Sequence, residues 1–270
     1  FSLSESGAPE YQLNSNGNSI ITRSKMGFEF VENQKMTDGF KIINSEINSE
    51  DTKWEQPWGE FKIIKNQHTK LTVHLQEISG EKRLVDIIFK VFNDGLGFRY
   101  HFPEQPNLNE VKISNELTEF SFPEEHNVWW IPVHSDNSYY ESLYKKSPIS
   151  KTDTINTPAT FETKDGMYLA IHEANLTDFA SMTLRYSGQN RFQSELVPWA
   201  DGVKVYAKTP FNTPWRTIIV AENPGELVTS TLMLNLNEAS EIEDVSWIEP
   251  SKYIGIWWGM HLDKYTWGSG

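Results

Sequence analysis

The sequence contains no cysteine, and its 24 basic side chains are outnumbered by 37 acidic ones, which gives a formal net charge of −13. The absence of cysteine excludes a disulfide scaffold, a cysteine-based zinc site and thiol catalysis. The excess of negative charge repels a phosphate backbone, so we expect no nucleic-acid partner. The same charge is compatible with a hard cation that carboxylates hold.

Long apolar runs are also missing from the 270 residues. No segment approaches the roughly 20 apolar residues that cross a bilayer, so we predict no membrane span. The sequence begins without methionine and shows no basic stretch followed by an apolar one, so we expect that a leader has been removed. The residues alone leave the compartment open, because a chain without cysteine suits the cytoplasm and the periplasm equally.

Alternating apolar and polar residues dominate the sequence and predict β-strands. Residues 84–92 form a dense apolar run, Asn93-Asp94-Gly95 provides a turn, and residues 97–102 alternate again, which predicts a hairpin. Further strands are predicted at residues 28–31, 61–64, 71–75, 167–172, 182–186, 216–220 and 231–236. Only residues 223–228 favour a short helix. Many short strands with few helical segments predict an all-β fold, a large antiparallel sandwich.

The character of the sequence changes near Pro250. Residues 241–249 are typical of a linker, whereas residues 253–258 are apolar on both faces, as in a strand buried within a parallel sheet. We therefore predict a β-sandwich domain over residues 1–249. Residues 250–270 are predicted to begin a second domain that continues beyond the sequence.

Three motifs occur in register along the chain: FNDGLGFRY at residues 92–100, NTPWRTI at residues 212–218 and KYIGIWW at residues 252–258. Together they resemble glycoside hydrolase family 97, which includes bacterial α-glucosidases and α-galactosidases. The resemblance implies a β-super-sandwich of the galactose-mutarotase type, then a (β/α)₈ barrel that carries the catalytic carboxylates, and a C-terminal β domain. It implies that this chain holds no catalytic residue and that its partner is the barrel of the same enzyme.

The same resemblance implies α-linked glucosides or galactosides as substrates, a periplasmic or secreted location in a Gram-negative bacterium, and Ca²⁺ at the active site. In the family, one calcium-ligating glutamate of the N-terminal domain follows a Trp-Ile-Pro segment and begins a Glu-x-x-Tyr pattern. Glu141, which follows Trp130-Ile131-Pro132, matches that glutamate. Its surroundings are rich in Ser, Asn and Asp, as in exposed functional loops, and Ca²⁺ takes several oxygen ligands that two domains can share. The alternative is a solvated surface glutamate.

A His172-Glu173 pair at a predicted strand end is the second candidate. It could be a metal site or an acid/base pair, or its loop could satisfy both side chains. In the functional alternative, Glu173 faces the barrel and supports calcium or substrate. On a barrel strand, one of Trp257 and Trp258 should point inward, where it either stacks on sugar or fills the barrel core.

Trp58 and Trp215 are two further tryptophans with a candidate role. Trp58, in a predicted loop with Trp54, could line a substrate pocket, although an ordinary packing role is the alternative. The Trp215-Arg216 pair is interpreted as structural, with the guanidinium group pairing with a carboxylate or stacking on an aromatic ring. For the whole chain, a carbohydrate-binding module and a purely structural domain remain alternatives to an enzyme domain.

Overall fold

The computed structural model describes residues 1–31, 35–133 and 142–253. These residues form 21 strands and two short α-helices, with a three-residue 3₁₀-helix at Ile149–Lys151. All pairs of neighbouring strands that the structure describes are antiparallel, as the alternating sequence pattern predicts. The predicted all-β sandwich is therefore confirmed, whereas most of the strand predicted at residues 253–258 lies outside the described residues.

The largest sheet contains ten strands. Its strands are β6 (Phe40–Glu55), β7 (Ile63–Glu77), β8 (Leu84–Phe92), β9 (Gly95–Phe102), β12 (Asn127–Trp130), β13 (Lys145–Pro148), β15 (Ala159–Glu162), β16 (Tyr168–Ala174), β20 (Phe211–Asn212) and β21 (Trp215–Ala221). Their spatial order is β13-β12-β15-β16-β21-β9-β8-β7-β6, and β20 also pairs with β9. The predicted hairpin is the β8–β9 pair, in which Phe92 lies opposite Gly95.

Three smaller sheets contain the remaining strands. The first consists of β1 (Ser2–Leu3), β2 (Pro9–Ser15) and β3 (Asn18–Lys25). The second has the order β19-β10-β4-β5, with β4 at Phe28–Phe30, β5 at Lys35–Met36, β10 at Glu110–Glu116 and β19 at Val205–Lys208. The third has the order β11-β18-β17-β14, with β11 at Glu119–Ser121, β14 at Thr154–Asn156, β17 at Met182–Gly188 and β18 at Arg191–Leu196.

One hydrophobic core joins the large sheet to the three smaller ones. Aromatic rings make contacts between them, with centroids 4.8 Å apart for Tyr11 and Phe98 and 4.6 Å apart for Phe28 and Tyr100. Such tilted and edge-on pairs are each worth about 0.5–1.5 kcal/mol beyond their burial. Much of the 13% aromatic content therefore serves the core, which is the structural role that composition alone favours.

Two helices, α1 (Pro224–Thr229) and α2 (Leu232–Leu236), cover the opposite, outer face of the large sheet. Helix α1 confirms the predicted helix, and its cap residue Asn223 accepts a hydrogen bond from the Glu226 amide. The strand predicted at residues 231–236 is wrong, because this segment is helical. Leucines four residues apart share one face of a helix, so Leu232 and Leu236 are both buried against the sheet.

Glycines of β9 provide the space that α2 occupies. A Cβ atom at Gly97 would lie 2.4 Å from Cδ1 of Leu236, and one at Gly95 would lie 2.2 Å from the Ile218 carbonyl oxygen. Gly95 also has a φ of +153°, which side-chain-bearing residues rarely adopt. The motif that contains both glycines thus serves close packing of α2 and β21 on β9.

Strands β6 and β7 pair at 15 positions and extend beyond the core. Most of β6 is exposed, and β6 lies at the edge of the large sheet. Trp54 near its end donates a 2.9 Å hydrogen bond from Nε1 to the Asn235 side chain of α2. Asn235 in turn donates to the Lys65 carbonyl oxygen, so α2 ties both strands of this ribbon to the sandwich.

Candidate functional site

The residues predicted for the site fall in different parts of the chain. Glu141, Trp257 and Trp258 lie outside the described residues, so their roles stay predictions. Trp58 lies in the connection between β6 and β7 and is 41% exposed, which leaves its ring available to a ligand or a neighbouring domain. Glu173 lies near the end of β16 and is buried.

Glu173 belongs to a buried cluster that we call the charge triad, formed by Glu116 of β10, Glu173 of β16 and Arg216 of β21. Arg216 donates from Nε and Nη2 to Glu116 at 2.9 and 2.5 Å, and from Nη1 to Glu173 at 2.6 Å. The Arg216 side chain is fully buried. The structural interpretation of Arg216 is thus supported, and Phe179 supplies the aromatic contact at 5.8 Å.

Two carboxyl groups share the Arg216 guanidinium, and Glu116 accepts two hydrogen bonds from it whereas Glu173 accepts one. Burial by itself would lower the pKa of Arg216, but Glu116 and Glu173 outweigh burial and raise it. Burial raises the pKa of Glu173, because one bond from Arg216 and one from the Met182 amide do not offset the loss of water. Arg216 therefore stays charged, and burial opposes the ionisation of Glu173.

The triad also fixes the loop of residues 175–181, which connects β16 to β17. Glu173 Oε1 accepts a 2.9 Å hydrogen bond from the Met182 amide, so one carboxylate joins both ends of the loop. Phe179 lies against Arg216, and the Asn175 amide donates to the Asn237 side chain at 2.9 Å. A buried charge cluster thereby holds a surface loop in one conformation.

A calcium site needs several oxygen ligands that lie close together. Across residues 1–31, 35–133 and 142–253, no group of three or more His, Cys, Asp or Glu side chains is placed to hold a metal ion. Both carboxylate oxygens of Glu173 already accept hydrogen bonds from Met182 and Arg216. These residues therefore do not by themselves fit Ca²⁺, and the predicted calcium role of Glu173 stays a prediction.

His172, the other half of the predicted pair, points to the opposite face of the sheet. Its Nδ1 lies 3.0 Å from the Thr157 hydroxyl, and burial lowers its pKa. Because neighbouring strand residues alternate between faces, His172 and Glu173 do not form an acid/base pair with each other. Both side chains have structural partners, as the structural alternative predicted, but these partners (Thr157, Arg216 and Met182) lie outside the loop that follows β16.

A second polar cluster, which sequence reasoning did not identify, surrounds Trp215 on the outer face. Arg99 lies 4.5 Å and Lys90 5.4 Å from the Trp215 ring, and burial lowers the pKa of both cations. Within the described residues, Arg99 Nε, Trp215 Nε1 and Thr217 Oγ1 are buried without a hydrogen-bond partner. The lysine within the apolar run of β8 was the available sequence signal for this cluster.

Two adjoining grooves lie beside the loop of residues 175–181. The first, of about 460 Å³, runs between this loop and residues 197–206, and the second, of about 550 Å³, continues towards Arg99 and Asn212. They adjoin at Asp178, Phe179 and Tyr206, which line both, and we call the two grooves together the loop groove. No residue lining the first groove had been singled out from the sequence.

The part of the chain that the structure describes contains no helix long and apolar enough to cross a membrane.

Comparison with known proteins gives a consistent picture of the family. The sequence profile described as glycosyl-hydrolase 97 N-terminal matches residues 1–239. A retaining alpha-galactosidase from Bacteroides thetaiotaomicron is 22% identical over 92% of this chain and 41% of its own length. A probable retaining alpha-galactosidase from Streptomyces bingchenggensis is 24% identical over 93% of this chain and 38% of its own length.

Among solved structures, a glycoside hydrolase family 97 enzyme from Pseudoalteromonas sp. strain K8, in complex with acarbose, is 40% identical and superposes with a TM-score of 0.92. The match covers 98% of this chain and 40% of that enzyme. A beta-arabinopyranosidase at 22% identity and a TM-score of 0.73 shares the fold over 82% of this chain and 38% of that chain. This chain thus spans about 40% of the length of the relatives it matches, and by the match over residues 1–239 it belongs to glycosyl hydrolase family 97, as an N-terminal domain.

Proposed function

We propose that this chain is the N-terminal domain of an exo-acting α-glycosidase and that it forms one wall of the active site in the complete enzyme. The observation that carries the proposal is the superposition on the Pseudoalteromonas enzyme over 98% of this chain at 40% identity. Acid/base and nucleophilic carboxylates would then belong to a barrel domain, and their separation would decide between inversion and retention.

The comparisons support α-glucosides as the first substrate class to examine. The relative at 40% identity has been solved with acarbose and, as a variant, with panose, which is a glucose trisaccharide. The relatives named as α-galactosidases are only 22% and 24% identical to this chain. α-Galactosides are therefore the competing substrate class. A periplasmic or secreted location belongs to the same proposal and is supported only by the resemblance to the family.

The contribution of this chain to catalysis is positional. The charge triad and the hydrophobic core between the sheets anchor the strands that carry the loops, and rigid elements hold functional groups more accurately than mobile ones. We further propose that Glu141 donates one carboxylate to Ca²⁺ in the complete enzyme. If bound, the ion would hold carboxylates and substrate in place by its charge.

Hydrolysis assays test the enzyme assignment. We expect the complete enzyme to hydrolyse nitrophenyl α-glucoside faster than nitrophenyl α-galactoside, and the 270-residue chain to hydrolyse neither. A complete enzyme inactive on both substrates would contradict the proposal. Hydrolysis by the 270-residue chain at the rate of the complete enzyme would contradict the placement of the catalytic carboxylates elsewhere.

Calcium titration tests Glu141. In the complete enzyme we expect Glu141→Gln to weaken calcium binding, measured by calorimetry without substrate, by at least about tenfold, or ~1.4 kcal/mol. The matched control is Glu81→Gln, since Glu81 is an exposed glutamate whose side chain forms no ion pair with another described residue. Equal calcium affinity in both variants would remove Glu141 from the ligand set.

A further inference from the structure

The loop groove has the dimensions and open course of a ligand site. Its two parts, of about 460 and 550 Å³, each fall within the range of about 300–1,000 Å³ that small-molecule sites span. They meet at Asp178, Phe179 and Tyr206. Two adjoining grooves that share lining residues can together accommodate an extended molecule.

A tryptophan lines this groove without being buried. Trp199 is 66% exposed, although large aromatic side chains usually gain stability by packing into a core. Its backbone is nevertheless held in place, because the Trp199 amide donates to the Val203 carbonyl oxygen at 2.8 Å and the Gly202 amide donates to Trp199 at 2.9 Å. The Asp201 carboxylate also accepts a hydrogen bond from the Val203 amide at 3.0 Å. The fold therefore presents a flat apolar ring on a hydrogen-bonded turn.

A second aromatic ring follows in the middle of the groove. Tyr206 of β19 is 47% exposed, and its hydroxyl donates a short hydrogen bond to the Asp201 carboxylate. The same aspartate thus holds both the turn of Trp199 and the Tyr206 side chain. The groove is thus lined by two exposed aromatic side chains, Trp199 on a hydrogen-bonded turn and Tyr206 held by Asp201.

The opposite wall is fixed by the charge triad. Phe179 lies 5.8 Å from Arg216, and Glu173 accepts from the amide of Met182, at the end of the loop. Asp178, which lies between Glu173 and Phe179 in the sequence, has a φ of +49° and lines both parts of the groove. Fixed walls reduce the ordering entropy that a ligand must offset on binding.

The charges along the groove disfavour an anionic ligand. Each of the three cationic side chains that line it has a carboxylate within 4 Å: Lys204 with Glu195 at 2.8 Å, Lys208 with Glu110 at 3.3 Å, and Arg99 with Glu238 at 3.6 Å. The remaining polar lining includes Asn175, Thr177 and Asn212, which offer donors and acceptors without charge. A phosphate would meet already neutralised cations and the Asp178 carboxylate.

We infer that the loop groove is a binding site for a neutral oligosaccharide, with Trp199 and Tyr206 as stacking surfaces for sugar rings. An oligosaccharide combines apolar ring faces with hydroxyl groups that donate and accept hydrogen bonds, which matches this lining. The choice of an α-linked hexose chain rests on the proposed function. The binding surface itself rests on the geometry of the groove.

Calorimetry with maltoheptaose and the 270-residue chain tests this inference. We expect saturable binding that Trp199→Ala weakens by at least tenfold, and that Tyr206→Ala also weakens. Trp247→Ala is the matched control, because Trp247 is 71% exposed but does not line either part of the groove. Since the replaced rings are exposed, circular dichroism should show that all variants stay folded.

The possible outcomes separate the two proposals. Absence of binding by the wild-type chain at millimolar maltoheptaose and millimolar galactosyl oligosaccharide would overturn the inference, as would equal affinities of the Trp199→Ala and Trp247→Ala variants. Tighter binding of the galactosyl series, lost in Trp199→Ala, would support the site and change its sugar. Hydrolysis of a small α-glycoside by the complete enzyme decides the proposed function independently, whichever result the binding experiment gives.

Discussion

Arg216 and Glu116 are 100 residues apart in the sequence, yet they bind each other through two hydrogen bonds in the middle of the protein, where both side chains are fully buried. The pair connects β10 of a small sheet to β21 of the large sheet. Glu173 adds a second carboxyl group to the same guanidinium. This ionic link crosses a mainly apolar layer, in which the buried Thr118 hydroxyl also donates to Glu116.

Removal of the Arg216 charge should destabilise the sandwich severely. Arg216→Met leaves Glu116 and Glu173 buried without their cation, which costs about 3–5 kcal/mol of unfolding free energy for a broken buried pair. Urea denaturation measures the effect. Arg185→Met is the control, since Arg185 pairs with Glu195 at the surface, where an ion pair is worth about 0–1 kcal/mol. Similar losses in both variants would show that burial does not govern the contribution of Arg216.

The pKa of Glu173 gives a prediction for pH dependence. Because burial raises its pKa above the ordinary 4.5, the folded protein holds a proton that the unfolded chain has released at the same pH. The contribution of Glu173 to stability is therefore complete below the unfolded pKa and declines as pH rises through the folded pKa. We expect the difference in unfolding free energy between wild type and Glu173→Gln to change in this window. Parallel pH profiles of the two proteins would contradict the direction of the shift.

Gly95 should tolerate no larger residue. A Cβ atom there would lie 2.2 Å from the Ile218 carbonyl oxygen, and the φ of +153° adds backbone strain. Gly95→Ala should lower the unfolding free energy by about 1–3 kcal/mol or more, as overpacking does. Gly188→Ala is the matched control, because Gly188 also has a positive φ, +84°, but has open space around it. Thermal unfolding should show a clearly larger loss for Gly95→Ala.

Asn235 should be necessary for the attachment of the β6–β7 ribbon. Its side chain accepts from Trp54 at 2.9 Å and donates to the Lys65 carbonyl oxygen at 2.8 Å. Asn235→Ala leaves these groups unpaired, at a cost of about 1–3 kcal/mol. Hydrogen exchange should become faster in β6 and β7 and stay unchanged in β16. The exposed Asn44→Ala serves as control, and equal exchange in both variants would contradict the role of Asn235.

Local patterns predicted part of the strands whose one face meets the core, such as β8 and β9, and missed others, such as β3 and β18. Residues 84–92 coincide with β8, and the helix at residues 223–228 agrees with α1 to within one residue at each end. The strand predicted at residues 61–64 starts two residues too early, since β7 begins at Ile63. The apolar residues 231–236 are compatible with a strand or with a helix. The space above Gly97 in β9, where Leu236 of α2 packs, favours the helix, and this space is a tertiary feature that the local sequence does not show.

The site was predicted less completely than the fold, for two physical reasons. The charge triad joins side chains 43 and 100 residues apart, and a single sequence does not say which carboxylates among 37 acidic residues meet Arg216. The loop groove depends on how three connections come together at the surface. An exposed Trp199 and a buried Trp215 look alike in the sequence, because only tertiary packing separates them.

The length and position of β6 have a consequence for handling the protein. This strand carries Glu46, Glu50 and Asp51 along an edge that no described strand covers. Like charges on an exposed edge strand oppose backbone hydrogen bonding between the edge strands of two molecules. High salt weakens that repulsion, so concentrated stocks should be kept at low ionic strength.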